Sequence, residues 1–272
     1  MEFETFPKTS VPEASDLPQV EACILYLALT RTVPADNAIE EPSLGGKLLY
    51  AGELDGRGRA RVIAGNVAGC ATLAGTADVA AQKQSIRDGV VDFLVTSLDE
   101  ALRILKNEVR QRKTVAVCVG ASPDTVEQEM MDRGVQPDLV FAAGREMPAA
   151  RFGIGTQEIP LTEPDPGLAL LRWEVELAPA RWMARLDSLA LGCMSRNSFA
   201  SRWIRLSPRY LGRSAMGQRM LYCDPDSGRE IMRRFEEAVR GGEVGAEVAV
   251  SFAYGGETTA LRMRPGEGPA QV

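Results

Sequence analysis

The chain has 272 residues, 45% of them apolar and 25% charged, with a net charge of −6 and no histidine. That composition describes a globular protein able to bury a sizeable core, and its acidic balance argues against general nucleic-acid affinity, which needs a basic surface. Without imidazole, Ser-His and Cys-His nucleophiles and histidine-ligated metals are excluded, so any catalysis must use carboxylate, tyrosine, lysine, cysteine or a bound cofactor.

Residues 1–43 read as an N-terminal acidic segment. Residues 1–58 carry ten acids against four bases, whereas residues 59–272 carry 27 of each. The opening MEFETFPKTS has neither the basic nor the apolar region of a signal peptide, and no apolar run reaches membrane-spanning length. The expectation is a cytoplasmic protein with no membrane partner. Val20–Leu29 is a dense apolar run, helix or buried strand, and Thr32–Gly46 is a loop by its Pro, Asn and Gly content. The pairs Gly45-Gly46 and Gly56-x-Gly58 read as hairpin turns.

From Arg59 the text alternates. RARVIAG predicts a strand at Arg61–Ala64, which empties into Gly65-Asn66-Val67-Ala68-Gly69. ADVAAQKQSIRDG predicts a helix stopped by Gly89, and a strand is expected at Val91–Val95. SLDEALRILKNEVRQRK is the clearest helix. Ser97 and Glu100 form a capping box, Leu98, Ala101, Leu102, Leu105 and Val109 make its apolar stripe, and its basic end suits the helix dipole. Val115–Val119 is apolar on both faces, as a central parallel strand is. SPDTVEQEMMDRG is a helix with Ser122 as cap, Pro123 in its first turn and Gly134 closing it. A last strand is expected at Leu139–Phe141. Strands alternating with capped helices predict an α/β fold, a Rossmann-like doubly wound parallel sheet over residues 44–150.

Residues 151–272 read as an additional α+β C-terminal region. After a connector with four prolines comes a helical segment over Leu168–Cys193, interrupted near Pro179. Ser195–Arg219 carries six arginines and no acid. GREIMRRFEEAVRGG predicts a helix and AEVAVSFAY a strand. The five cysteines show no C-x-x-C pair, and Cys23 and Cys118 read as small core residues. No metal site is signalled.

Several stretches together resemble the cofactor-binding domain of urocanase (urocanate hydratase): Gly52 to Gly56, Ala68-Gly69, Arg87-x-Gly89-x-x-Asp92, Leu98 to Leu102, and Arg133 to Val140. The resemblance covers Leu44 to Val140, a little over a third of the chain. It implies a Rossmann-like domain that holds NAD+ as an electrophile toward the imidazole ring of urocanate. The departures fall on the cofactor site. Gly65-Asn66-Val67-Ala68-Gly69 joins segments between which the family has a longer glycine-dense loop and a helix. The ribose-binding acid implied at the next strand end falls at Thr76, with Asp78 nearby. Phe141-Ala142-Ala143-Gly144 replaces an Asp-Gln-Thr-Ser run. The expectation is that the fold carries over while urocanate hydration and retained NAD+ do not.

The candidate cofactor residues are therefore Gly65, Asn66, Gly69, Thr76 and Asp78, read as a trimmed phosphate or nucleotide loop. The competing reading, a strand-to-helix turn whose Gly and Asn relieve backbone strain, ranks ahead of it. For Arg196, Arg202, Arg205, Arg209, Arg213 and Arg219, with Trp203 and Tyr210, phosphate or nucleic-acid recognition ranks below a subunit interface or pairing with the acidic first 58 residues. Two functions compete: a binder of a nucleotide or small anionic ligand, and a catalytically retired homo-oligomeric assembly or interaction module.

Overall fold

A computed structural model describes residues 18–33, 43–142 and 148–266. Its elements run α1 (Pro18–Thr30), β1 (Leu48–Glu53), α2 (Gly56–Ala68), β2 (Ala71–Gly75), α3 (Val79–Arg87), β3 (Phe93–Val95), α4 (Leu98–Gln111), β4 (Val115–Val119), α5 (Pro123–Asp132) and β5 (Leu139–Phe141). They continue with α6 (Pro148–Phe152), β6 (Gln157–Ile159), β7 (Ala169–Glu174), α7 (Pro179–Gly192), α8 (Phe199–Leu211), β8 (Gln218–Cys223), α9 (Pro225–Arg240), β9 (Val248–Tyr254) and β10 (Glu257–Met263). Six strands form a parallel sheet in the order β3-β4-β2-β1-β5-β6, and four form an antiparallel sheet in the order β10-β9-β7-β8. The chain is an α/β protein with a Rossmann-like parallel sheet and a second, antiparallel sheet C-terminal to it.

The parallel sheet is covered on both faces, as its doubly apolar strands require. Leu49, Ala51, Ala74, Ala116 and Cys118 pack on the side of α1 and α2, while Tyr50, Leu73, Val117 and Val119 pack with α4 and α5. The capped helices form where their signals stand. Ser97 accepts from the Glu100 amide at 3.3 Å, and Glu100 reaches back to the Thr96 amide. Ser122 accepts from the Thr125 amide, with Pro123 in the first turn. Strand β4 lies between β3 and β2, away from the sheet edge.

The strand expected at Arg61–Ala64 is instead the middle of helix α2. A short apolar run cannot be assigned by periodicity alone, and the signals that decide it lie outside the run. Asp55 caps the N-terminus, and Gly69 closes the helix in the left-handed conformation at φ +96°. The helix is buried nearly all round because the sheet lies on one side and α1 and α8 on others. Gly65 lets it settle onto the sheet: a Cβ there would stand 2.6 Å from Leu49 Cδ2 and 2.7 Å from Thr72 Oγ1. Gly56 and Gly58 are the first turn of this helix and not a hairpin. Gly45 and Gly46 turn into β1, whose partners are both parallel, so no hairpin forms there either.

The second half departs from expectation in one element. Leu168–Cys193 is not one helix: β7 occupies Ala169–Glu174 at its start, and Pro179 begins helix α7 and does not interrupt it. Helix α9 and strand β9 form as their patterns predict. Strand β6 joins the parallel sheet at residues 157–159, and α1, from the acidic N-terminal segment, packs along α2.

The arginine-rich stretch is also corrected. Its anchors Trp203, Ile204, Tyr210 and Leu211 are buried within the chain's own core. Helix α8 ties the two halves together. Trp203 donates its indole N–H to Met220 O at 2.9 Å and stacks on Tyr26 at 5.4 Å between centroids, while buried Arg202 reaches Val67 O in α2. Arg219 pairs with Asp187 of α7 at 2.9 Å, not with the acidic N-terminal region.

Candidate functional site

In a parallel α/β sheet, ligands bind beyond the carboxyl ends of the strands where the strand order reverses. Here that point is β1, flanked by β2 and β5. The turn after β1 runs Gly52-Glu53-Leu54-Asp55-Gly56-Arg57-Gly58 into α2. Gly52 holds φ at +78°, where side chains strain the backbone. A Cβ at Gly58 would stand 1.6 Å from Glu53 O, so strand and helix backbones touch there. That is the close-packing glycine of a dinucleotide-type turn. The glycine turn and helix expected to be missing are therefore present, earlier in the chain than the segment read for them.

The five residues named from sequence do not gather. Helix α2 runs from the carboxyl edge of the sheet to its amino edge, and at ~1.5 Å per residue its far end is about 20 Å away. Gly65 and Asn66 lie toward that far end and Gly69 closes it. The buried Asn66 donates through Nδ2 to Val90 O at 2.9 Å, which pins the turn before β3. Thr76 and Asp78 alone reach the carboxyl edge. Thr76 is buried with its hydroxyl accepting from the Asp78 amide, and Asp78 caps α3 by accepting from the Ala80 amide at 2.7 Å. Of the Phe141-Ala142-Ala143-Gly144 run, Ala143 and Gly144 lie outside the described residues.

The edge supplies its own counter-groups. Helix N-termini attract anions because their first N–H groups lack intrahelical partners. Here α2 is capped by Asp55, α3 by Asp78, α4 by Ser97 and α5 by Ser122. The Asp55 carboxylate takes the Gly58 amide at 2.8 Å. The Leu54 amide donates to Gly75 O at 3.1 Å, and the Leu54 side chain is fully buried.

These residues do not fit NAD+. The pyrophosphate of a dinucleotide sits at the N-terminus of the first helix, where Asp55 already stands. A phosphate charge about 5 Å from that carboxylate costs between ~1 kcal/mol in water and ~3 kcal/mol at an effective dielectric constant near 20. Glu53 adds to it. At the end of β2, Thr76 is buried and has no carboxylate to offer a ribose, while the exposed Asp78 uses Oδ1 to cap α3.

The five cysteines, all among the described residues, are not activated as thiolates. Burial pushes the Cys70, Cys118 and Cys223 thiols up to about 12, and Cys23 higher still, so none is a thiolate at neutral pH. Half-buried Cys193 is raised by the same cause. Burial, with Glu127 beside it, also pushes the Tyr50 phenol up and keeps its proton on. Among the described residues no three Cys, Asp or Glu side chains gather as a metal site, and no helix is long and apolar enough to cross a membrane.

A second place carries chemistry that sequence reading missed. Helices α7 and α9 cover one face of the antiparallel sheet. The other face bears a cavity of about 480 Å³ lined by Arg172 and by residues of β8, β9 and β10, with Gln19 of α1 at its side. In a strand read as part of a helix, the alternation that sets Arg172 apart from buried Leu171 and Trp173 passes unnoticed.

The family model described as the urocanase Rossmann-like domain matches residues 29–143. The matched span holds β1 through β5 and the carboxyl edge just described, and is less than half of the chain.

Proposed function

Starting from a urocanase-type Rossmann-like domain at residues 29–143, we propose that this protein neither retains NAD+ nor hydrates urocanate, and that the domain is the rigid support of a binder of small anions. The observation that carries the first part is the Asp55 carboxylate on the Gly58 amide, at the place a pyrophosphate would take. With α2, α3, α4 and α5 each capped by its own side chain at the carboxyl edge, bound dinucleotide would have to displace contacts that already stabilise the fold. The support role follows from packing. One continuous apolar cluster runs from α2 through α1 and α8 to the antiparallel sheet, so the two halves share a core.

The small-anion ligand is favoured over the assembly reading because the apolar side chains that motivated an interface, Trp203 foremost, are spent inside the chain. Incubation with NAD+ and urocanate, following the ultraviolet absorbance of urocanate, tests the loss of hydratase chemistry. No enzyme-dependent decay is expected. Decay above the buffer rate that scales with protein overturns the proposal.

A further inference from the structure

The geometry points to the cavity on the open face of the antiparallel sheet as a site for a monocarboxylate with an apolar body, held by Arg172. This rests on the small-anion reading above and gives it a place and a chemical class. Strand alternation sets the stage. Arg172 in β7 stands opposite Met220 of β8 and Ser251 of β9, and Ala260 of β10 pairs with Ser251. These side chains share a face with Ala249 and Gln218, and all six residues line the cavity. The small alanines open the space that longer side chains would fill.

Arg172 is the unusual member. Its Nε and Nη2 are shielded from solvent and have no hydrogen-bond partner. Buried guanidinium N–H groups left unpaired are strongly unfavourable, because they have lost water and gained nothing. The two orphaned nitrogens are also the pair whose N–H bonds run parallel along one edge of the guanidinium. That edge matches the two oxygens of a carboxylate. The other two arginines lining the cavity are committed elsewhere: Arg219 to Asp187 at 2.9 Å and Arg262 to Glu247 at 2.9 Å. Arg172 alone among the three carries an unmatched charge, and Glu174 on the same face opposes a dianion. A single negative charge fits this balance better than a phosphate does.

Met220, Ala249 and Ala260 offer an apolar body contact, and Ser251, Gln218 and Gln19 supply polar groups at the same wall. At ~30 Å³ per water-sized group the cavity holds roughly 16 such groups. Nε and Nη2 are shielded from solvent as they stand, so binding requires the guanidinium to turn about its own side-chain torsions to meet a carboxylate in the cavity. The relief of the two unmet N–H groups favours that turn.

The test is calorimetric titration of the full chain with octanoate, with octanol as the uncharged counterpart and inorganic phosphate as the anion without a body. Octanoate should bind at millimolar concentration or below, and octanol and phosphate about ten- to hundredfold more weakly. Arg172→Met should weaken octanoate by a similar factor. Arg172→Lys should not restore it, because an ammonium lacks the parallel edge. Ala249→Met fills the cavity while keeping Arg172, and should also abolish binding. Should Arg172→Met misfold, that second variant decides. Octanoate that does not bind, or that binds the Arg172→Met and Ala249→Met proteins as it binds the wild type, overturns the proposal. Phosphate binding as tightly as octanoate overturns the ligand class. A protein that proves to contain NAD+ would sink the proposed function without touching this titration, and silence toward octanoate in an NAD-free protein would sink this inference alone.

Discussion

The Asp55 carboxylate accepts the Gly58 amide at 2.8 Å, while a Cβ on that same Gly58 would lie 1.6 Å from Glu53 O. One glycine thus serves two contacts. It lets α2 press against the end of β1, and it presents the N–H that Asp55 takes. The turn keeps the backbone of a dinucleotide-binding unit and places a fixed negative charge where the ligand's own would go.

Asp55 should therefore matter for stability. Asp55→Ala removes the N-cap of α2 and should lower stability by ~1 kcal/mol, whereas Asp55→Asn should lower it by much less, since asparagine caps nearly as well. Chemical denaturation of the three proteins checks this. Equal stability of the alanine and wild-type proteins would show that the cap is dispensable.

Two glycines two positions apart should respond oppositely to alanine. Gly58→Ala forces backbone against backbone and should cost ~3 kcal/mol or more. Gly56 has nothing within 4 Å of a would-be Cβ, so Gly56→Ala should be neutral or stabilising by up to ~1 kcal/mol. Thermal melts of both variants distinguish this arrangement from a flexible loop, in which neither change would matter.

Trp203→Ala should destabilise the fold by about 3–5 kcal/mol by emptying a core site, and both halves should unfold in one transition because that side chain joins them. Two separated calorimetric transitions in the wild type would contradict the continuous core.

The Asp187–Arg219 pair gives a pH signature. Burial raises the Asp187 carboxyl above its ordinary 3.8, against the opposing pull of Arg219. A carboxyl whose folded pKa exceeds its unfolded one binds more protons in the folded state, so its contribution falls as pH rises from about 3.8 through the folded pKa. Stability of wild type minus that of Asp187→Asn should therefore decline with rising pH in that window. A difference that rises there would mean that Arg219 outweighs the burial.

Thiol labelling in the folded protein near pH 8, about half a unit below the pKa of a free thiol, should reach Cys193 first. Cys23, Cys70, Cys118 and Cys223 are buried and held protonated. Rapid labelling of any of these four would show that the core opens.

Much of the parallel sheet was legible because its signals are local. Ser97 with Glu100, Ser122 with Pro123, and the doubly apolar Val115–Val119 each state their own structure. The first βαβ unit was misread because RARVIAG suits either state, and the deciding residues, Asp55 and Gly69, flank it at a distance. That slip moved the candidate site to Gly65, Asn66 and Gly69, which pack and close a helix. The arginine tract misled for a different reason. Composition shows that Trp203 and Tyr210 need cover, but not that α1, α2 and β8 of the same chain provide it. The one sequence signal for Arg172, its alternation with Leu171 and Trp173, is hidden when the stretch is read as helix, and its unpaired guanidinium is defined by what its neighbours fail to offer.

The central claim is that the urocanase-type turn is closed to its cofactor by Asp55. Native mass spectrometry of the protein, purified without added nucleotide and again after incubation with NAD+, tests it most directly. The account predicts the mass of the bare chain in both cases. A species heavier by one NAD+ per chain, in either sample, would contradict it.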